Sequence, residues 1–265
     1  MQQAPSPTPT TLHEALALIA QQQADLARLH AAHESWMRAV AHDLRAPLRH
    51  VVSFAPLLKE SVDELAAAAP QAVHAAEDAH EFAATMERAA RKMSAMLDGL
   101  AHISRAARAE LQPELVDWLA LTVPLVQALQ AQHPQVRWVL PTQTEVPVLA
   151  HAEWLRVAMQ AVLDNAIKFS AQQVQPLVQV QAYPLASGGW RLQVQDNGAG
   201  FNDSRAQQLG EIFQRMHHDN EFDGVGCGLA LVSTVAQRHG ARWSLQSQPG
   251  AGCTVSLDWP GAVGV

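Results

Sequence analysis

The chain has 265 residues, enough for two small domains, and its 48% apolar content supports a folded core rather than a disordered chain. A net charge of -7 supplies no basic footprint, so neither nucleic acid nor an anionic membrane surface is an expected partner. The two cysteines, Cys227 and Cys253, lie in glycine-rich surroundings, which argues against a disulfide framework and for a reducing, cytoplasmic compartment.

Residues 1–11 are expected to be a flexible tip, with prolines and threonines where a signal peptide would have basic and apolar regions. A heptad frame follows. Leu16, Gln23, His30, Met37, Leu44 and Val51 occupy one seam position, and Leu12, Ile19, Leu26, His33, Val40 and Pro47 the other. His30 and His33 read as polar seam residues that fix register. A second helix repeats the pattern with Met86, Met93, Leu100 and Ala107 against Phe82, Ala89, Met96 and Ile103. Two narrow apolar stripes cannot cover themselves. An antiparallel hairpin doubled by a second subunit, a homodimeric four-helix bundle, buries both. The alanine-rich stretch around Pro70 is the expected connection.

The pattern changes at Leu111-Gln112-Pro113, which separates a helical region, 12–110, from a mixed one, 111–265. Trp190, Leu192 and Val194, and Val255, Leu257 and Trp259, alternate as half-buried strands do, while Trp154 to Phe169 and Leu229 to His239 have helical spacing. The fold class is therefore α+β, the second domain being a sandwich with helices on one face of a sheet. The most apolar stretch, Val148 to Ile167, is interrupted by His151, Glu153, Arg156, Gln160, Asp164 and Asn165, so no direct membrane insertion is expected.

The first chemical constellation is Ala41-His42-Asp43-Leu44-Arg45-Ala46-Pro47. With Met37 and Val40 in the seam, His42 faces outward. An exposed imidazole is largely neutral near pH 7 and keeps one nitrogen unprotonated for nucleophilic attack, while Asp43 can accept the other ring proton. Pro47 removes a helical hydrogen bond and bends the helix there. Further on, Asn165 and Lys168 share a flanking helix face, an amide oxygen suited to hydrated Mg²⁺ beside an ammonium suited to phosphate. Asp196-Asn197-Gly198-Ala199-Gly200-Phe201 sets a carboxylate at a strand end, where it can accept from an adenine amino group. The run Gly224-Val225-Gly226-Cys227-Gly228-Leu229 leads backbone N–H groups into a helix N-terminus.

Each glycine motif alone is weak; their order and spacing together resemble the sensor histidine kinases. His42 stands in what looks like the H box, Asn165 in the N box, Asp196 to Gly200 in the G1 box, Phe213 in the F box and Gly224 to Gly228 in the G2 box. The stretch Ile212-Phe213-Gln214-Arg215-Met216-His217 with Glu221-Phe222-Asp223 looks most like the kinases found behind phytochromes. The resemblance spans about residues 33 to 259 and implies a dimerisation and phosphotransfer hairpin joined to a Bergerat-type (GHKL) ATP-binding domain. It implies ATP and Mg²⁺ as cofactors, His42 as phosphoacceptor, Asp43 as its acid/base helper and Asn165 as metal ligand. Lys168 would contact phosphate, Asp196 hold adenine, and Gly198 and Gly200 shape the pocket. Gly224, Gly226 and Gly228 would form a lid, with Phe169, Arg215 and Leu229 completing the ATP-binding set. Thr254 is either an adenine neighbour or a plain strand residue.

Three positions depart from the family pattern. Ala161 replaces a common asparagine, Gly210 a common large apolar residue, and Ala46 a polar residue that positions water for dephosphorylating the partner. The leading expectation is a homodimeric, ATP-dependent protein-histidine kinase feeding a response regulator receiver domain. The alternative is a dimeric nucleotide-binding scaffold or pseudokinase with weak or no turnover. No sensory domain fits in residues 1 to 38, so the signal is expected through a separate sensory protein or an upstream sensor.

Overall fold

Fifty-seven residues with alanine and leucine frequent and no glycine make one helix, α1 (Leu12–Ala68). Its two interior prolines, Pro47 and Pro56, each delete an N–H from the i to i-4 ladder. A short connection leads to α2 (Val73–Arg108), whose last turn carries Arg105 and Arg108, cations suited to the negative end of the helix dipole. The computed structural model describes residues 12–69, 73–202, 209–214, 222 and 224–261. The tip, 1–11, lies outside the described residues, as do the side chains of His30, His33 and Asp43.

The chain folds as two compact units, Met1–Ala83 and Ala84–Val265. In the first, Asp63 Oδ1 lies 3.1 Å from His80 Nε2, joining the end of α1 to the start of α2. Leu48 and Ala55, seven residues apart, are buried, while Leu44, Phe54, Leu58, Leu65 and Phe82 are exposed. On the rest of α2 the buried positions are Ala90, Leu97 and Ala106, continuing from Ala83, whereas Met86 and Met93 are exposed. The stripe that the heptads pick out thus lies beside the one that is buried in the single chain. Alanine escapes a count of large apolar residues, yet its small size favours burial where backbones approach closely.

The second unit begins with the rest of α2 and continues through β1 (Glu114–Asp117), α3 (Trp118–Gln132), β2 (Arg137–Val139), β3 (Pro147–Ala150) and α4 (Ala152–Ser170). It ends with β4 (Leu177–Pro184), β5 (Trp190–Asp196), α5 (Gly228–Arg238), β6 (Arg242–Gln248) and β7 (Gly252–Trp259). Five strands form a sheet in the order β2-β4-β5-β7-β6, and β1 pairs with β3 in a ribbon. β2 runs parallel to β4, and the other neighbours are antiparallel. Alternation decides the faces: Val178, Val180 and Ala182 on β4, and Leu192 and Val194 on β5, are buried, as are Val255, Leu257 and Trp259 on β7. α4 packs on β4, β5 and β7, α5 on β6, and α3 on α4. The register Arg191 opposite Asp258 is clamped by a two-pronged ion pair of 2.6 and 2.7 Å.

Caps tie the layers together. Asp117 accepts from Leu119 N and Ala120 N at the start of α3 and from Val146 N across the chain, all within 3.3 Å. His239, at the end of α5, accepts the N–H of His151, the N-cap of α4, at its Nε2 (3.1 Å) and donates from Nδ1 to Val235 O (2.8 Å). Its ring lies 5.0 Å from that of Trp259, whose Nε1 donates to Leu149 O at 3.0 Å. No helix among the described residues is long and apolar enough to cross a membrane.

Burial holds the His239 imidazole below its ordinary value of 6.5, with the neighbouring His151 and Arg238 adding to the effect against the Val235 carbonyl. The folded state therefore prefers the neutral ring, while the unfolded chain takes up the proton. Stability from this residue is present above about pH 6.5 and is lost as the pH falls towards the folded-state value. Urea unfolding between about pH 7.5 and about pH 5.5 should show a loss for the natural chain that is smaller in His239→Gln, which cannot titrate.

Candidate functional site

Helix α4 ends where the chemistry gathers. Its inner stripe, Leu155, Met159, Val162 and Ala166, is buried, which leaves Asn165 and Lys168 on the flank. The helix closes at Ser170, whose hydroxyl donates to Ala166 O (2.7 Å). β5 brings Asp196 beside that end. Asp196 is 7% exposed, and its Oδ1 accepts from Gly198 N at 2.8 Å. Burial pushes its carboxyl up to about 6, against the pull of the backbone donors at Gly198, Cys253 and its own residue.

Glycine is required wherever these backbones meet. A Cβ on Gly198 would strike the Phe169 carbonyl, and Ala199 N donates to that same oxygen at 3.1 Å. Gly200 has φ +57° and no room for a Cβ against Gln248 O. Gly252, with φ +85°, is packed as tightly on the carbonyl of Asp196.

A cavity of about 260 Å³ opens over this junction. Its walls bring together Asn165, Lys168, Phe169, Asp196 and Gly200 with Gly224, Gly226, Gly228 and Leu229, most of the residues singled out from the sequence. The Lys168 ammonium lies 4.2 Å from the Phe169 ring centroid, and a Cβ on Gly224 would be 3.2 Å from it. A Cβ on Gly228 would come within 3.4 Å of Asn165 Nδ2. The glycine loop is pinned where Phe213 N donates to Gly226 O (3.0 Å), with Phe213 itself at φ +67°. Phe222 meets Phe169 edge to face at 5.1 Å. An amide, an ammonium, a carboxylate and a helix N-terminus thus converge on one mostly apolar space, a donor set suited to a nucleotide with its metal ion.

Other positions fall elsewhere. Gly198 supports the junction without lining the cavity, and Thr254 stands between two lining residues, Cys253 and Val255, on a strand whose alternation turns it to the other face. His42 is exposed on α1 in the first unit. Arg215, His217, His218, Glu221 and Asp223 lie outside the described residues. Gly210 has a structural cause: a Cβ there would be 2.5 Å from the Trp243 ring, so the tryptophan occupies the volume that a larger residue would need.

Sequence reasoning missed Asn197 and Ser247. The Asn197 side chain accepts from Leu177 N (2.9 Å) and donates to Gln175 O (2.9 Å), tying the β5 end to the start of β4. Buried Ser247 accepts from Phe201 N and donates to Gly252 O, each at 2.9 Å. The Asp-Asn-Gly run was a visible signal for Asn197, since asparagine bonds backbone in turns; Ser247, inside a strand, offered none.

Residues 150–262 match the model of the family described as "HATPase_c: Histidine kinase-, DNA gyrase B-, and HSP90-like ATPase". This part of the chain is an ATP-binding domain of that kind, homologous to those of many sensor histidine kinases. "Cyanobacterial phytochrome A" of Nostoc sp. is 27% identical over 246 residues, 91% of this chain and 30% of that protein. "Sensor-like histidine kinase SenX3" of Mycolicibacterium smegmatis is 26% identical over 244 residues, 90% of this chain and 60% of that one. The chain thus spans less than two thirds of these relatives. Among solved structures, "Mycobacterial sensor histidine kinase MprB" is 26% identical with a TM-score of 0.50, covering 57% of this chain and 98% of its own. "ShkA full-length in complex with AMPPNP", 20% identical, shares the fold over 85% of this chain and 45% of its own, with a TM-score of 0.59.

Gly200→Ala should lower stability by about 1–3 kcal/mol, because a positive φ and a carbonyl collision add. Gly188→Ala, at φ +89° with nothing within 4 Å, carries strain without collision and should cost less. Thermal unfolding of the two variants gives the comparison; equal losses would show that the approach to Gln248 is unimportant.

Proposed function

We propose that this chain is an ATP-dependent protein-histidine kinase of a two-component system. It phosphorylates its own His42 and passes the phosphoryl group to an aspartate on the receiver domain of a response regulator. The observation that carries this reading is one cavity in which Asn165, Lys168, Asp196 and the glycine loop converge at the N-terminus of α5, in a chain that also carries a His-Asp pair upstream. Homology to sensor histidine kinases along most of the chain supports it.

In this reading residues 12–110 are the dimerisation and phosphotransfer hairpin and residues 111–265 the ATP-binding domain. Asp196 accepts from the adenine amino group, Lys168 and the N–H groups at the start of α5 hold phosphate oxygens, and Arg215 and Leu229 border the nucleotide. Asn165 is the ligand that would hold Mg²⁺, whose charge offsets that of the phosphates. An unprotonated ring nitrogen of His42 bonds to the γ-phosphorus as the bond to the bridging oxygen breaks and ADP leaves. Asp43 takes up the proton of the other nitrogen. The exposed apolar side chains Leu44, Phe54, Leu58 and Leu65 on α1, and Phe82, Met86 and Met93 on α2, support a homodimer. Burying such side chains fully is worth about 1.5–3 kcal/mol each. Several together exceed the lower estimates of the association cost, about 4–15 kcal/mol. The likeness to cyanobacterial phytochromes supports a sensory input from elsewhere, upstream or in a separate protein.

Incubation with γ-labelled ATP and Mg²⁺ should place acid-labile label on the natural chain and none on His42→Gln or Asn165→Ala. Undiminished label on His42→Gln would overturn the assignment of the acceptor. ATP binding without any label on the natural chain would favour the nucleotide-binding scaffold.

The acceptor role of Asp196 requires its ionised form, and the carboxyl rests at about 6 without ligand. The affinity for an ATP analogue should therefore fall below that pH, by about tenfold per unit once protonation is nearly complete. Stability from the same group has the opposite slope to that of His239: it is fully present below the ordinary 3.8 and lost as the pH rises through about 6. Titration calorimetry across this range measures the affinity, and a flat profile would count against Asp196 as the adenine acceptor.

A further inference from the structure

Within the second unit, the C-terminal end of α2 grips α5 at both ends. At Gly99 a Cβ would lie 2.5 Å from Cys227 Sγ and 2.7 Å from its Cβ, so only glycine fits. Glycine inside a helix is less favourable than alanine, a cost that this close packing explains. Cys227 is the N-cap of α5, lines the cavity, and is buried enough that its thiol is held above the ordinary range. At the other end of α5, Arg238 donates from Nη1 to the carbonyls of Ala106 (3.4 Å) and Ala107 and from Nη2 to that of Ala109 (2.7 Å). These are carbonyls at a helix C-terminus, which lack partners within their own helix and attract a cation. Between the two contacts Ala106 is buried and Ile103 packs against the same core.

We infer that Gly99 and Arg238 are positioning residues for the nucleotide site. Neither lines the cavity. Each acts through the docked end of α2, which fixes both ends of α5 and so aims the helix N-terminus and the adjoining glycine loop. The ligand named in this inference rests on the nucleotide reading above; the mechanical part does not. Because coupling between sites is reciprocal, the same contacts make the pose of α2 sensitive to what the loop binds.

The test uses the full chain with Gly99→Ala, Arg238→Ala, the double variant and Arg238→Lys, checked for folding by circular dichroism. The first readout is alkylation of Cys227 without nucleotide, followed by mass spectrometry with Cys253 as the internal reference. The second is the affinity for a fluorescent ATP analogue. Each alanine variant should speed Cys227 alkylation by about threefold or more, as local opening exposes the thiol. Each should weaken the analogue by about three- to tenfold. The double variant should fall short of the product of the two single effects, since both undock one helix, whereas independent sites would multiply. Arg238→Lys should recover part of both losses. Because Arg238 is exposed at the end of its helix, its variants remain informative if Gly99→Ala fails to fold. A folded Arg238→Ala with natural Cys227 reactivity and affinity, or singles that multiply in full, would overturn the inference. If the natural chain binds no analogue while the alkylation pattern holds, the nucleotide reading fails and the mechanical coupling stands.

Discussion

Three backbones meet with no space for a side chain between them, and the arrangement of the site follows from that crowding. Gly198 lies against the carbonyl of Phe169, Gly200 against that of Gln248, and Gly252 against that of Asp196. The end of α4, the end of β5 and the turn between β6 and β7 are thereby locked into one knot. Asn165 and Lys168 approach it from α4 and Asp196 from β5, so their separation is set by backbone packing instead of by flexible side chains. Ser247, bonded to Phe201 N and Gly252 O, closes the knot from the far side. Such a junction is stiff, which suits a site that must hold several weakly bonding groups at fixed distances.

Charge burial sets the second level of organisation. Asp196 is held in a largely apolar wall, a placement that raises its carboxyl to about 6 and destabilises the ionised form. Backbone N–H donors offset part of that penalty without adding a countercharge, and the carboxylate keeps its capacity to bind. Asp258 shows the contrast: beside Arg191 its carboxyl is held below the ordinary value, chiefly by the paired hydrogen bonds, and serves the register of β5 and β7. Carboxylates on adjacent strands thus do different work because one faces a guanidinium and the other faces a cavity.

Much of this was legible in the sequence. Strands β5 and β7 alternate so regularly that their buried faces follow from Leu192, Val194, Val255, Leu257 and Trp259 alone. Helix α4 was bounded to within two residues, because its apolar stripe and its polar flank are unambiguous. The cavity residues could be chosen because glycine motifs that are weak singly stand in an order, with Asn165, Lys168 and Asp196 ahead of them, that resembles a known family. What escaped were features carried by small or ordinary side chains. The alanines buried on α2 do not register in a hydrophobic count, and Gly210 looked like a loss until Trp243 was found in its place. Arg238 and Gly99 belong to elements more than a hundred residues apart, and no local pattern announces that one helix will receive both ends of another.

The margins of the five-stranded sheet have a consequence for how the molecule behaves in a crowded solution. One border is β2, only three residues long and begun by Arg137; the other is β6, whose exposed positions include Arg242, Ser244, Gln246 and Gln248. A long, flat, apolar border would offer its unpaired N–H and C=O groups to any neighbour. Here one border is too brief to template a new strand, and the other presents hydrated guanidinium, hydroxyl and amide groups that an incoming chain would have to strip of water. The sheet is thereby protected from growing by edge-to-edge addition, and neighbouring copies have little tendency to fuse through their strands.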